Sequence, residues 1–407
     1  MATAGSRSKK GSTTGSSVVF EPASLGPVTL RNRVIKAATF EGMSRRQVVT
    51  DELIEFHRKV ASGGVGMSTV AYCAVSPEGS TDGRTIVLRP DAVPGLLRLT
   101  DAIHEHGAAA SAQIGHAGPV SNSATTKLPA LGPTRIFSPL TMHRTKAVTD
   151  DDIGRITKEF ADGARLAVQA GFDALEIHLG HNYLLSAFLS PKLNTRTDRW
   201  GGTLENRSRF PRQVLRAVRE EVGDSVAVTA KLNMADGVPG GLWLDQSIPI
   251  AQLLESDGVL DAIELTGGSS LANPMYLFRG EAPIAEMAAT MPSLTRAGFK
   301  LVAKRFMPSY PFEEAFFLPY ARQFRQALEM PLILLGGINR LETMEQAVSE
   351  GFNFVAMARA LLREPDLLMK MQEGKANQSL CIHCNKCMPT IYSGTRCVLT
   401  TPPTGSA

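Results

Sequence analysis

Residues Ile177–Arg209 read IHLGHNYLLSAFLSPKLNTRTDRWGGTLENRSR. The apolar run Ala174–Ile177 that leads into this segment predicts a buried strand, and His178, His181 and Tyr183 fall at its C-terminal end. In barrel folds such strand ends open into a cleft. With offsets of three and two, the two imidazoles can converge on one acceptor oxygen while the phenol beside them acts as a proton donor. The same short string also describes two satisfied core histidines and a packing tyrosine.

Outward from this strand, apolar and β-branched runs alternate with helical patterns. Eight strands are expected: Val34–Thr39, Gly66–Tyr72, Ala108–Ile114, Ala174–His178, Val226–Leu232, Ala262–Leu265, Leu332–Leu335 and Phe354–Met357. Amphipathic stretches such as Asp151–Ala170, Leu204–Val222 and Arg340–Glu350 lie between them. Eight such units predict an α/β fold, a (β/α)8 TIM barrel. The alternative, a doubly wound open sheet, lacks a G-x-G-x-x-G turn after its first strand.

In a barrel the chemistry sits at the C-terminal strand ends. The third strand runs into Gln113, the fifth ends near Lys231, the seventh in Gly336-Gly337, and Ala358-Arg359 follows the eighth. Glycines that let backbone N–H groups approach, followed by a guanidinium, suit a phosphate; ordinary turn glycines with a surface arginine would look the same.

The formal charge of +4 is small for 407 residues, and Arg7, Lys9 and Lys10 account for most of it. No nucleic-acid surface is expected. No apolar run reaches the ~20 residues of a membrane helix, so a cytoplasmic protein with no membrane partner is expected. Residues 1–17, rich in Ser, Thr, Gly and Lys, predict a disordered tail. Residues 18–373 form the expected barrel and 374–407 a cysteine-rich extension. Of five cysteines, Cys73 reads as a small buried hydrophobe, whereas Cys381, Cys384, Cys387 and Cys397 stand as C-x2-C-x2-C-x9-C. Four thiolates at this spacing point to an iron–sulfur cluster or a structural zinc, with reduced thiols as the remaining reading.

The stretch from His178 resembles the old yellow enzyme family of flavin-dependent NAD(P)H oxidoreductases. The family pattern H-x-x-[HN]-x-Y, F-L-S-P, N-x-R-x-D, G-G, E-N-R stands here as His178, His181, Tyr183, Phe188–Pro191, Asn194, Arg196, Asp198, Gly201, Gly202 and Glu205–Arg207. The resemblance extends from about Phe20 to Asp366 and implies bound FMN, with NADH or NADPH as reductant. It implies Ala38 and Thr39 against the flavin, Gln113 on the pyrimidine edge, and Lys231 where relatives usually carry Arg beside N1. It further implies Gly336, Gly337, Ala358 and Arg359 at the phosphate. The substrate it implies is a small molecule with an activated alkene, its carbonyl held by His178 and His181 and its α-carbon protonated by Tyr183. Asn182 stands where Gly is frequent, Trp200 where Tyr is, and Ala358 where Gly is usual.

The run Cys381-Ile382-His383-Cys384-Asn385-Lys386-Cys387 resembles the iron–sulfur members of the same superfamily, the 2,4-dienoyl-CoA reductases and trimethylamine dehydrogenase, which implies a 4Fe-4S cluster. Tyr72-Cys73 and Pro77-Glu78 resemble the latter locally, which keeps open an amine dehydrogenase or demethylase passing electrons to an external carrier. A flavin-free phosphate-binding barrel or metal-stapled scaffold would explain the glycines and cysteines but not the His178–Arg207 stretch.

Overall fold

The computed structural model describes residues 17–138, 143–291 and 293–400; the tail expected to be disordered lies, but for Ser17, outside them. Eight parallel strands form a closed ring: β1 (Val34–Lys36), β2 (Met67–Ala74), β3 (Ala109–Gly115), β4 (Ala174–Leu179), β5 (Ala227–Ala235), β6 (Ala262–Gly267), β7 (Leu332–Leu335) and β8 (Phe354–Met357). Each pairs with its neighbour in chain order, and β8 closes on β1 through Ala356↔Ile35. The (β/α)8 expectation is met, strand for strand.

Helices follow the strands and cover the ring: α1 (Asp51–Ser62), α2 (Val93–His104), α3 (Asp150–Gln169), α4 (Leu204–Val222), α5 (Leu244–Ser256), α6 (Leu318–Ala327), α7 (Leu341–Ser349), α8 (Arg359–Arg363) and α9 (Leu367–Gln372). Local chemistry sets several boundaries. Thr149 and Asp152 form a reciprocal capping box at α3, and three aspartates occupy the first turn, where the helix dipole favours negative charge. Thr203 caps α4 by accepting from the Asn206 N–H at 3.3 Å.

The main apolar core lies between ring and helices, with Phe160, Phe210, Val214 and Val218 joining α3 to α4. A hairpin of Ala23–Leu25 and Val28–Leu30 supplies Leu25 and Leu30 to a second cluster with Ile35, Met67, Ala174, Ala227, Ala262, Ile333 and Phe354. These are residues at the N-terminal halves of the strands. The hairpin therefore plugs the barrel floor, and only the C-terminal mouth is left for a site.

The segment after α9 crosses back over that mouth. Leu380 N–H donates to the Glu364 carboxylate at 2.6 Å, and Thr395 bonds the backbone of Glu41 at 2.7 Å and of Phe40 at 2.6 Å. Gly42 is where it presses closest: its φ is +64°, and a Cβ there would stand 2.0 Å from the Ile391 carbonyl oxygen. Gly42→Ala is expected to cost about 1–3 kcal/mol, from the unfavourable φ and the displaced chain. Limited proteolysis should then cut the 374–400 segment faster, with Tm lowered; unchanged cleavage would show that this contact does not hold the segment down.

Candidate active site

His178 leaves the end of β4 with its ring centroid 5.1 Å from that of His181 and 4.5 Å from that of Tyr183. Tyr72, on β2, stacks edge-on against Tyr183 at 5.4 Å and donates its hydroxyl to the Gly79 carbonyl. The structure thus gathers the three residues picked out by sequence and adds Tyr72. His178 is 3% exposed, and its Nδ1 has no hydrogen-bond partner among the described residues.

A tight turn aims the second imidazole. His181 and Asn182 both have positive φ, +59° and +61°, which L-residues other than Asn and Asp adopt at a cost. Asn182 can therefore serve where relatives use Gly. Asn233 Oδ1 accepts from His181 N–H at 3.0 Å. Buried Asp236 accepts from Asn182, Asn233, Ser190 and the Leu242 backbone at 2.7–3.2 Å. The His181 ring then meets Thr266 Oγ1 at 3.0 Å through Nε2.

Burial, reinforced by the neighbouring His181, holds the His178 imidazole well below its ordinary value. Burial and the Lys231 ammonium hold His181 at about 3. Both rings are neutral near neutral pH. Burial, then the Asp82 carboxylate, raises the Tyr183 phenol, so it keeps its proton.

The polar run that follows the histidines serves as scaffold. Asn194 donates to the carbonyls of Phe188 and Trp200, each at 2.8 Å. Arg196 bridges Asp198 and the carbonyls of Pro133 and Val148, and Arg207 ties Leu189, Gly202 and Gln246 together. These bonds hold the loop between β4 and α4, and with it the floor under Tyr183.

Inside the barrel lies a charged layer that reading by strand apolarity passed over. Gln113 donates to Glu176 at 2.6 Å; Lys231 pairs with Glu176 at 3.1 Å and with Glu264; Thr39 bonds Glu41 at 3.3 Å, and Glu41 takes Lys36 at 2.5 Å. Three side chains expected around the flavin, Thr39 against it, Gln113 on its pyrimidine edge and Lys231 beside N1, thus each rest on a buried carboxylate. The signal was present: Lys36, Glu176, Lys231 and Glu264 interrupt apolar strands at inward positions, and Glu176 and His178 are two apart, hence on one face. Burial lowers Lys231 but its two carboxylates outweigh that and raise it. Burial, then Glu176, pushes Glu264 up to about 8 against the pull of Lys231.

Gly336 and Gly337 have φ of +118° and +75°, and the space of their missing Cβ atoms is taken by the rings of Phe317 and Phe316, each 2.6 Å from where that atom would be. Ala38 packs against the apolar cluster that holds Tyr72, as Tyr183 does, and Ala358 precedes α8 as its cap. Arg359 donates to the Asn385 side chain, and it lines a cavity of about 20 Å³ together with Cys381, Cys384, Cys387 and Cys397. Among the described residues no three His, Cys, Asp or Glu side chains close on one metal-ion position. Cys73 is fully buried, as expected. No helix among the described residues is long and apolar enough to cross a membrane.

Comparison with known proteins places these features. Residues 18–256 match the model of the NADH:flavin oxidoreductase / NADH oxidase family. The chain is 61% identical to a 4,4'-dithiodibutanoate disulfide reductase of Rhodococcus erythropolis, over 94% of each. It is 34% identical to a metal reductase of Desulforamulus reducens over 92% of this chain, spanning only 52%, about half, of that protein. A solved 2-naphthoyl-CoA reductase complex superposes with a TM-score of 0.80 at 26% identity, over 93% of this chain and 56% of that one. An old yellow enzyme homologue of Zymomonas mobilis shares the fold at a TM-score of 0.71 and 21% identity, over 90% and 95%. The chain belongs to the NADH:flavin oxidoreductase / NADH oxidase family, whose members are FMN-dependent NAD(P)H oxidoreductases.

Proposed function

We propose that the barrel mouth reduces an electron-poor C=C bond of a small molecule. The observation that carries this reading is a pair of neutral imidazoles, buried His178 with an unpartnered Nδ1 and half-buried His181 beside it, with the His178 ring against the protonated Tyr183 phenol. The residues present fit FMN: a hydroxyl, an amide and an ammonium come from Thr39, just past β1, Gln113, within β3, and Lys231, within β5, and they suit the flavin's pyrimidine edge, with Ala38 beside its ring. Gly336, Gly337, Ala358 and Arg359 are the residues for its phosphate. When bound, FMN supplies hydride transfer from NADH or NADPH to the substrate's β-carbon.

The chain's own part is polarisation and protonation. His178 and His181 donate to the substrate carbonyl and draw charge from the double bond, and Tyr183 gives its proton to the α-carbon. Hydride and proton together complete the addition of two hydrogens. Tyr183→Phe is expected to slow reoxidation by an enone by ~100- to 10,000-fold while reduction by NAD(P)H is unchanged. Equal turnover would remove Tyr183 from this role.

A second reading, reduction of an organic disulfide, is favoured by the relative at 61% identity. Hydride delivered to one sulfur yields a thiol and a thiolate, and no carbon needs a proton. Tyr183→Phe should then leave disulfide turnover near wild type. Side-by-side assays of an enone and 4,4'-dithiodibutanoate on both proteins separate the two readings.

Because both histidines lie far below the ordinary imidazole value, they stay neutral as pH falls from about 8 to 5. Affinity for an uncharged enone is expected to be flat over that range, and imidazole NMR shifts should remain those of neutral rings. A histidine at this site that charges above pH ~5 would contradict the desolvated geometry.

All four cysteines line one space beside the Arg359 guanidinium, and four thiolates gathered at one place are the donor set that a 4Fe-4S cluster takes. Such a cluster would serve an external electron carrier. Iron and acid-labile sulfide assays on anaerobically purified protein should return about four of each per chain. Their absence would assign the cysteines to zinc or to reduced thiols.

A further inference from the structure

The charged layer inside the barrel does not balance. Lys36 and Lys231 face Glu41, Glu176 and Glu264, and all five side chains are at most 4% exposed. Ionised throughout, they carry one surplus negative charge in a space without solvent. Two-electron reduction of a flavin adds negative charge at its N1, the atom beside which Lys231 would stand in the proposed flavin site. Lys231 cannot serve that charge while two carboxylates already claim its ammonium.

The hydrogen bonds distinguish the carboxylates. Glu41 accepts from Lys36, Thr39 and the Ala71 N–H. Glu176 accepts from Gln113 and from Lys231. Glu264 accepts from Lys231, and its only further polar partner among the described residues is the Glu176 carboxylate, which favours the protonated form. Its strand neighbours add no donor: β7 places Ile333 beside it, and on β5 it faces Lys231. The remaining charged groups in range are Glu176, which repels it, and Lys36 across the barrel, which interacts with Lys231 and Glu176. His178, beside Lys231 on β4, is neutral.

We infer that Glu264 is the proton-holding group of the flavin site: it binds a proton when the flavin becomes negative, which leaves Glu176 as the single counter-carboxylate of Lys231. In the balanced step, NADH delivers one hydride to the flavin, and a proton from solvent forms an O–H bond on the Glu264 carboxylate. Oxidation of the flavin returns that proton. Glu264 acts through Lys231 and is a positioning residue. Its direction of shift agrees, since burial and Glu176 already hold it near 8 before any flavin charge is added. The inference rests on the flavin site proposed above.

The test is anaerobic reduction of the FMN-loaded protein by NADH in weak buffer with an indicator dye. At about pH 6.5 Glu264 is protonated in both redox states and no solvent proton should be taken up, whereas at about pH 9 uptake should approach one per NADH. Glu264→Gln should take up none at either pH. Infrared difference spectra at the higher pH should show a protonated-carboxyl C=O band growing on reduction in the wild type and missing from the variant. If the variant does not fold, the wild-type stoichiometry and band decide.

A wild type that binds FMN, is reduced, and takes up no proton at about pH 9 overturns the inference and leaves the flavin site standing. Unchanged uptake in Glu264→Gln overturns the assignment to this residue. A wild type that cannot be loaded with FMN overturns the flavin site and this inference together.

Discussion

An ammonium sealed inside a β-barrel must be neutralised where it stands, and Lys231 between Glu176 and Glu264 is the constraint on which the rest of the structure turns. Removing one member of a buried pair typically costs about 3–5 kcal/mol, because the charge left behind has neither water nor partner. The layer also pins register. A slip of one residue in β4, β5 or β6 would turn these charges outward into the apolar packing beneath the helices. The charges hold the strands in phase, and the strands keep the charges dry.

Stacked on that layer is the reactive geometry. His178 lies one pleat above Glu176 on β4, and its strand neighbour is Lys231. Burial, with the field of that lysine added to it, keeps the imidazoles neutral, which is the state in which they donate without bearing charge. The αL turn at His181 and Asn182 then sets the second ring beside the first, held by Asp236 from the end of β5. The rest of the motif works further out: Ser190 donates to Asp236, and Asn194, Arg196 and Arg207 tie the loop through backbone carbonyls and neighbouring side chains.

Much of this was legible from residues alone. Leu332–Leu335 and Phe354–Met357 form strands with the expected bounds, because short aliphatic runs bounded by turn signals leave no other element to form. The first strand was expected to reach Thr39 but its ladder stops at Lys36, where the chain bends out to meet the 374–400 segment. Glu41, Glu176 and Glu264 were not singled out, since a single charge in an apolar strand has no meaning until the strand across from it is known.

The amino-acid sequence by itself determined the barrel, the cluster of His178, His181 and Tyr183, and the cysteine spacing, because hydrophobic period and close spacing are local properties. Tertiary structure alone decided what those groups face. Ring closure brings residues 36, 113, 176, 231 and 264 into one layer. The returning chain sets Arg359 beside the four cysteines and presses Ile391 onto Gly42. Charge balance and desolvation depend on distances between residues far apart in the chain, and only the folded backbone sets those distances.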